Sequence, residues 1–244
     1  MAHSPSVRRR VASMNELVER VCIAVRRDLP PVQVSTAQEW SRPLAVRVID
    51  CVLSLNRNYN YFVVPRLDRF TARYPGIESV RDLCSLLDRA GPPERFVADA
   101  LDYRDPNRAY ILDAVAKYVL REVIRSADAQ SEPRVLAAWA AAASPSDHTQ
   151  LHIHGFALAG FQYLRMLFGA NTCKPDVHIC NFVEQVIGRR MAPAAVCSLI
   201  EDVARAEQLN ARDLDIAIWT HMSSKGVVRP KSQPAGSTWC ANRS

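Results

Sequence analysis

The chain alternates apolar segments of helical period with short polar breaks. After Ser13-x-x-Glu16, which has the spacing of a capping box, apolar residues recur at helical intervals until Pro30-Pro31. A second segment begins at Pro43 and is apolar around most of its circumference, which is typical of a buried central helix. Further helices are predicted over residues 60–73, 78–89, 94–102, 107–125, 133–143, 156–168, 177–188, 194–207 and 212–222.

No segment shows the sustained alternation that is typical of strands, and only 8 glycines are available for tight turns. The predicted class is therefore all-α. At the two ends, residues 1–12 are predicted to form a flexible basic arm and residues 225–244 a flexible basic tail.

Composition adds size, charge and a location to this picture. The 244 residues are 48% hydrophobic, which is enough to bury a sizeable core. A formal charge of +6 favours polyanionic partners. Since no apolar run approaches the roughly 20 residues that span a bilayer and no secretory signal is evident, we expect a cytoplasmic protein without membrane contact. If the protein is bacterial, it is expected to be associated with the nucleoid.

Seven cysteines and a group of histidines raise the question of metal binding. No Cys-x-x-Cys pair exists, and an odd cysteine count argues against a closed disulfide framework. His148 and His152 have one spacing that zinc sites use, but no matching cysteine pair accompanies them. We therefore expect no metal and no cofactor. The histidines and cysteines that cluster in this part of the chain are His148, His152, His154, Cys173, His178 and Cys180.

The most informative segment is Leu151–Val183. It predicts a short hairpin centred on Gly155, a helix of about a dozen residues, a loop, and Asp176 opening another helix. This arrangement resembles the core of the helix-hairpin-helix DNA glycosylases, the superfamily of endonuclease III. The resemblance extends to residues 48–58, which look like an early helix of the family, and to residues 214–221, which look like its closing helix.

The resemblance covers about residues 40–222 and implies a fold. The expected architecture is two helical lobes with a helix-hairpin-helix motif and a cleft between the lobes. In this reading residues 13–224 form the folded unit, with 13–40 and 195–224 in one lobe. Residues 41–194 form the central lobe, with the hairpin at 151–160.

The same resemblance implies base excision from double-stranded DNA by a monomeric protein. A base inside a duplex is unreachable, so such enzymes extrude it at a cost of roughly a few kcal/mol. Asp176 would stabilise the positive charge that develops on the sugar, or activate water. Asn56 would fill the space that the base leaves, with Tyr59 near the pocket. The residues expected to contact DNA are His154, Gly155, Phe156, Ala157, Lys174 and His178.

Several of these residues have a second interpretation. An aspartate between a proline and an apolar helix is a common helix N-cap, with no chemistry of its own. His178 contacts the DNA backbone or only occupies the first helical turn. Lys174 meets a phosphate or extends to solvent. Tyr59, Tyr61 and Phe62 stack on an extruded base or pack in the core, whereas Trp40, Trp139 and Trp219 are expected to pack in the core.

The chain also departs from the family pattern. Family hairpins carry two glycines, whereas this chain has Gly155-Phe156-Ala157 or His154-Gly155-Phe156, which weakens the expected grip on phosphate. The position of the lysine that nicks DNA in bifunctional members falls on Leu158 or Ala159, so a monofunctional enzyme without lyase activity is expected.

Of the family's four-cysteine iron–sulfur loop only Cys240 has a counterpart, so no cluster is expected. Two alternative functions remain. The first is a non-catalytic DNA-binding module of the same fold, and the second is related chemistry on an unusual modified base.

Overall fold

The computed structural model describes residues 5–34 and 41–224, with side chains from residue 14 onward. This part of the chain is helical and contains no strand, so the all-α prediction is confirmed. No helix among these residues is long and apolar enough to cross a membrane. The helices are α1 (Pro5–Asp28), α2 (Leu44–Leu53), α3 (Val64–Arg73), α4 (Val80–Ala90), α5 (Pro93–Leu101), α6 (Pro106–Tyr118), α7 (Glu132–Ala142), α8 (Leu158–Leu167), α9 (Val177–Ile187), α10 (Pro193–Ala206) and α11 (Ala211–Ser224).

Shorter helical turns connect some of these helices. The segments Tyr59–Val63 and Val119–Ile124 have π-helical hydrogen bonding, and Pro145–Leu151 forms a 3₁₀ helix before the predicted hairpin. The 3₁₀ helix was not predicted, because its Pro, Ser and Asp residues are typical of a turn. The residues between α8 and α9, which we call the α8–α9 loop, are 168–176.

The predicted helix bounds agree with the structure except at the first helix. This helix begins at Pro5 rather than at Ser13, so the predicted cap at Ser13 is wrong and residues 5–12 are helical rather than a flexible arm. Arginine is a good helix former, so the basic stretch does not oppose helix formation. Residues 1–4, the segment 35–40 with Trp40, and the predicted tail 225–244 with Cys240 lie outside the described residues.

Two separate clusters of buried apolar side chains organise the described residues. The first cluster is formed by α2 to α8, and α2 lies at its centre with almost every side chain buried, as its apolar circumference predicts. The second cluster is formed by α1, α9, α10 and α11 together with Cys173 of the α8–α9 loop. The chain therefore passes from the first cluster to the second along the α8–α9 loop.

The boundary between the clusters differs from the predicted division into lobes. The sequence places residues 41–194 together, whereas the structure packs α9 into the second cluster. Ile179, Phe182 and Val183 on α9 are buried among side chains of α1, α10 and α11. The reason is tertiary, because an amphipathic helix buries its apolar face against whichever neighbours the preceding loop directs it to.

The start of α8 packs closely against the first cluster. Phe156 is buried, and a Cβ atom added at Gly160 would lie 2.8 Å from the Phe156 ring and 3.0 Å from Leu55 Cδ2. The Cys51 thiol donates a hydrogen bond to the Gly160 carbonyl at 3.3 Å. Glycine at position 160 therefore allows α8 to approach the end of α2 and Phe156.

We predict that Gly160→Ala lowers the free energy of unfolding by about 1–3 kcal/mol, because the added methyl group overpacks this contact. Gly76→Ala is the matched control, since a Cβ atom at Gly76 has no neighbour within 4 Å and its backbone is not left-handed. Chemical denaturation of both variants provides the comparison. Equal stabilities for the two variants would contradict the close-packing argument.

Candidate functional site

The α8–α9 loop is fixed by buried hydrogen bonds to both clusters. The Thr172 hydroxyl accepts a hydrogen bond from Gln162 Nε2 at 2.7 Å and donates one to Glu201 Oε1 at 2.6 Å. Earlier in the loop, Asn171 Oδ1 accepts from the Ala211 N–H at 2.7 Å, which caps the start of α11. The loop is thus attached to α8, α10 and α11, and its last residues have a defined position.

Asp176 ends this loop and caps α9. Its Oδ1 atom accepts hydrogen bonds from the N–H groups of His178 at 2.8 Å and Ile179 at 3.3 Å. Within the described residues, Oδ1 is the only carboxylate oxygen of Asp176 with a hydrogen bond, and the side chain is half-buried. The cap interpretation is therefore observed. The carboxylate lies at the positive end of the α9 dipole, which favours its negative charge.

The backbone just before Asp176 is held by a buried carboxyl group on α11. The N–H group of Lys174 donates to Asp215 Oδ1 at 2.7 Å, and Asp215 is 7% exposed. Burial and the negative charge of Asp176 raise the pKa of Asp215 well above its ordinary value. The charge of Asp176 therefore acts on the buried carboxyl group of Asp215 across the loop.

The Lys174 side chain extends from the loop to the first cluster. Its Nζ atom lies 4.2 Å from the centroid of the Tyr163 ring, a cation–π contact, and 3.4 Å from Ser54 Oγ. The side chain is half-buried. From the sequence we expect Lys174 to contact a phosphate or to extend into solvent. Its observed position against α2 and α8 is neither of these alternatives.

A buried acidic group lies beneath this contact. Asp50 on α2 is 2% exposed, and its two carboxylate oxygens accept hydrogen bonds from the hydroxyl groups of Tyr59 at 2.9 Å and Tyr163 at 3.1 Å. Burial raises the pKa of Asp50, while both tyrosine hydroxyls and the charges of Arg42 and Lys174 oppose the rise. The carboxyl group is fully engaged and forms no ion pair with Lys174 within 4.0 Å.

Three aromatic side chains continue from Asp50 towards Asp176. Trp219 on α11 contacts Tyr59 edge-on, with ring centroids 6.3 Å apart, and contacts His178 at 6.1 Å. Trp219 is half-buried and lies one helical turn after Asp215, on the same face of α11. Its contacts link the π-helical turn of the first cluster to the first turn of α9.

Four of the predicted site residues are therefore brought together at the boundary between the clusters. They are Tyr59, Lys174, Asp176 and His178, which are linked through Trp219 and Tyr163. We call this set, with Asp50, Ser54, Tyr163, Asp215 and Trp219, the boundary site. Asn56 is exposed two residues beyond Ser54, with φ at 54°, a left-handed conformation that asparagine tolerates.

The predicted hairpin residues divide into exposed and buried positions. His154, Gly155 and Ala157 are exposed, and Gly155 has φ at 80°. Phe156 differs from the expectation of a DNA contact, because its side chain is buried in the first cluster and its N–H group donates to the Ile153 carbonyl at 3.1 Å. Ala157 precedes α8 and has no side chain that could accept a hydrogen bond. The first N–H groups of α8 therefore have no capping side chain from this residue.

Sequence reasoning missed five residues of the boundary site. Asp50 had a usable signal, because it is an acidic residue in a helix that is otherwise apolar around its circumference. Trp219 is predicted to pack in the core, whereas the structure places it half-buried, with its ring in contact with His178. Ser54, Tyr163 and Asp215 fit ordinary helical patterns, and only their tertiary contacts distinguish them.

The cysteines of the described residues have no disulfide partners. Six are free, and five of these are buried. Cys173 and Cys197 lie close together, since each thiol is within 4.0 Å of the other residue's carbonyl oxygen. In the part of the chain that the structure describes, no group of three His, Cys, Asp or Glu side chains is arranged to hold a metal ion.

Residues 16–223 match a family described as a domain of unknown function, DUF8548, and the chain belongs to this family. The match spans nearly all of the described helices. No curated protein and no solved structure gives a significant match to the chain.

We predict that Tyr163→Phe lowers the free energy of unfolding by about 1.5–3 kcal/mol at neutral pH, because it removes a donor from a buried carboxylate. Tyr61→Phe is the matched control, since Tyr61 is 86% exposed, and its effect is expected to stay within about 0.5 kcal/mol. Chemical denaturation measures both values.

The pH dependence of this difference tests the role of Asp50. The raised pKa means that the folded state binds the Asp50 proton more tightly than the unfolded chain does. Ionisation of Asp50 therefore lowers the free energy of unfolding above the folded pKa, and this loss of stability decreases as pH falls. Because the tyrosine bond stabilises the ionised form, the stability deficit of Tyr163→Phe is largest above the folded pKa of Asp50 and narrows as pH falls through that pKa. A deficit that is independent of pH would contradict this account.

Proposed function

We propose that this member of the DUF8548 family is a DNA glycosylase that hydrolyses the N-glycosidic bond of an extruded damaged or mismatched base. The observation that carries the proposal is the position of Asp176. This half-buried residue stands at the N-terminus of α9, on a loop that two clusters hold in place, with Lys174 two residues before it and His178 of the aromatic row two residues after it.

The chemistry of base excision fits such a carboxylate. Breaking the bond between base and sugar develops positive charge on the sugar ring, and a nearby fixed carboxylate stabilises that charge or orients a water molecule. Asp176 uses one oxygen to cap α9, which fixes its orientation. The other oxygen has no hydrogen bond within the described residues and is free for this role.

The start of α8 provides a place for the DNA backbone. His154, Gly155 and Ala157 are exposed next to an uncapped helix N-terminus, where N–H groups and the helix dipole favour an anion such as phosphate. Exposed Asn56 follows the end of α2 and, in the family resemblance, would fill the space that the extruded base leaves. A net charge of +6 favours double-stranded DNA as the partner.

One observation also favours a second candidate, a non-catalytic DNA-binding module of the same fold. The two hydrogen bonds of Asp176 to the first turn of α9 explain this residue as a structural cap, without any chemistry. In that case Asp176 variants would alter stability and leave no enzymatic signature. A third candidate, chemistry on an unusual modified base, uses the same residues and differs only in the substrate.

We predict that Asp176→Asn lowers the rate of base excision by roughly 100-fold or more, because it removes the negative charge. Asparagine caps helices about as well as aspartate, so thermal stability and duplex binding are expected to be unchanged. Asp176→Ala is expected to lose the same activity and also about 1 kcal/mol of stability, because the cap is gone. Melting curves, duplex binding and excision rates distinguish the two effects.

Excision is measured on fluorescent duplexes that each carry one lesion: uracil, mismatched thymine, alkylated purines or 8-oxoguanine. Abasic sites are revealed by hot alkali. An Asp176→Asn variant with full activity would exclude Asp176 as the catalytic group. Salt-sensitive binding without cleavage of any duplex would support the binding module, and a second panel of modified bases would then test the third candidate.

We predict that strand cleavage appears only after alkali treatment, because the described residues offer no amine at the position of the family's nucleophilic lysine. Leu158 and Ala159 occupy the position of the family's lysine, and the Lys174 amine contacts the Tyr163 ring as a cation. Borohydride added to wild-type protein with abasic DNA is therefore expected to trap no covalent complex. Cleavage without alkali, or a trapped complex that Lys174→Gln abolishes, would show that the enzyme is bifunctional.

A further inference from the structure

We infer that Lys174 selects the base, and that the boundary site takes neutral bases that present a carbonyl oxygen and rejects cationic N-alkylated bases. This inference rests on the proposed function, whose substrate class it names. It starts from the ammonium group of Lys174, which lies at the boundary between the two clusters and has no carboxylate of residues 14–34 or 41–224 in contact with it.

The Lys174 ammonium has unused hydrogen-bonding capacity. An ammonium group has three donors, and in the described residues its one hydrogen bond is a long contact of 3.4 Å to Ser54 Oγ. No carboxylate oxygen of the described residues lies within 4.0 Å of Nζ, although acidic groups lie near it. The Asp50 carboxylate, which could pair with Lys174, is instead occupied by two tyrosine hydroxyls.

The backbone of Lys174 is held firmly, so its side chain is delivered from a fixed point. The buried carboxyl group of Asp215 accepts the Lys174 N–H at 2.7 Å, and the Asp176 N–H donates to the Lys174 carbonyl at 2.7 Å. The turn that positions the proposed catalytic carboxylate therefore also positions the ammonium. Lys174 and Asp176 are therefore carried two residues apart on the same turn.

The location of Nζ favours a base over a phosphate as its partner. The amine lies against the face of Tyr163, a half-buried residue in the middle of α8 that is bonded to Asp50 on α2, rather than at the exposed start of α8 or α9. A backbone phosphate remains at the protein surface, whereas an extruded base enters the interior and is read by hydrogen bonds to its edge. A carbonyl oxygen accepts from Lys174, while a cationic alkylated base meets like charge.

The test uses Asp176→Asn protein, which binds without turnover under the proposal, and duplexes in matched pairs. Hypoxanthine differs from purine by the 6-oxo group and by the proton on N1 that accompanies it. Uracil differs from pyrimidin-2-one in the same way, by the 4-oxo group and the proton on N3. A third duplex carries cationic 7-methylguanine. We expect the carbonyl-bearing member of each pair to bind roughly tenfold or more tightly, and 7-methylguanine to bind no better than an undamaged duplex.

Lys174→Met and Lys174→Gln, introduced into the same protein, are expected to remove this preference. Each variant should bind the two members of a pair equally, while Lys174→Arg should retain part of the preference. Lys117→Met is the matched control for the loss of one positive charge, because Lys117 forms partly exposed ion pairs with Asp88 and Asp113, away from the boundary site. Melting curves establish that each variant is folded, and the Gln variant keeps a polar side chain of similar length.

Two outcomes would overturn the inference. One is equal binding within each pair by the Asp176→Asn protein. The other is a uniform loss of affinity for all duplexes in Lys174→Met with a shallower salt dependence, which identifies a phosphate contact instead. These experiments measure binding, so their outcome does not depend on whether the protein excises a base. A carbonyl preference that depends on Lys174, without excision by the wild type, would retain the site and reject the catalysis.

Discussion

The hydrogen bonding of the α8–α9 loop is the constraint on which the rest of the boundary site depends. A loop that passes between two apolar clusters carries backbone and side-chain polar groups into a buried setting, where each must find a partner. Thr172 meets this requirement between α8 and α10, and Asp215 accepts the N–H of Lys174 from α11. Because these partners come from three helices, the loop has one arrangement, and so do the residues at its end.

The polar groups of the boundary site are difficult to explain as stabilising elements alone. Burying Asp50 and Asp215 raises the pKa of each carboxyl group, which means that their ionised forms oppose folding at neutral pH. Apolar residues of similar size would avoid this penalty. Perturbed carboxyl groups that surround a half-buried lysine and an aromatic row are the arrangement expected of a ligand site, where polar groups are retained for binding or chemistry.

The cap and the proposed chemistry of Asp176 are compatible because they use different oxygens. The bonds of Oδ1 to the first turn of α9 hold the carboxylate in one orientation, and the helix dipole favours its negative charge. A catalytic group needs such preorganisation, since a carboxylate that is already fixed needs no reorientation when charge develops on the sugar. The same turn also holds the backbone of Lys174, so under the proposed function one short segment would carry both the group that recognises the base and the group that stabilises the charge on the sugar.

The sequence by itself determined the helices and their order, because helical period, proline starts and capping residues are local properties. It also indicated Asp176, since a cap residue and a hairpin pattern lie within one short segment. Only the tertiary structure decided that α9 packs into the second cluster and that Lys174 turns towards Tyr163. The hydrogen bond from Tyr163 to Asp50 joins residues 113 positions apart. Such contacts depend on how helices cross and where a loop directs them, and no local pattern records either property.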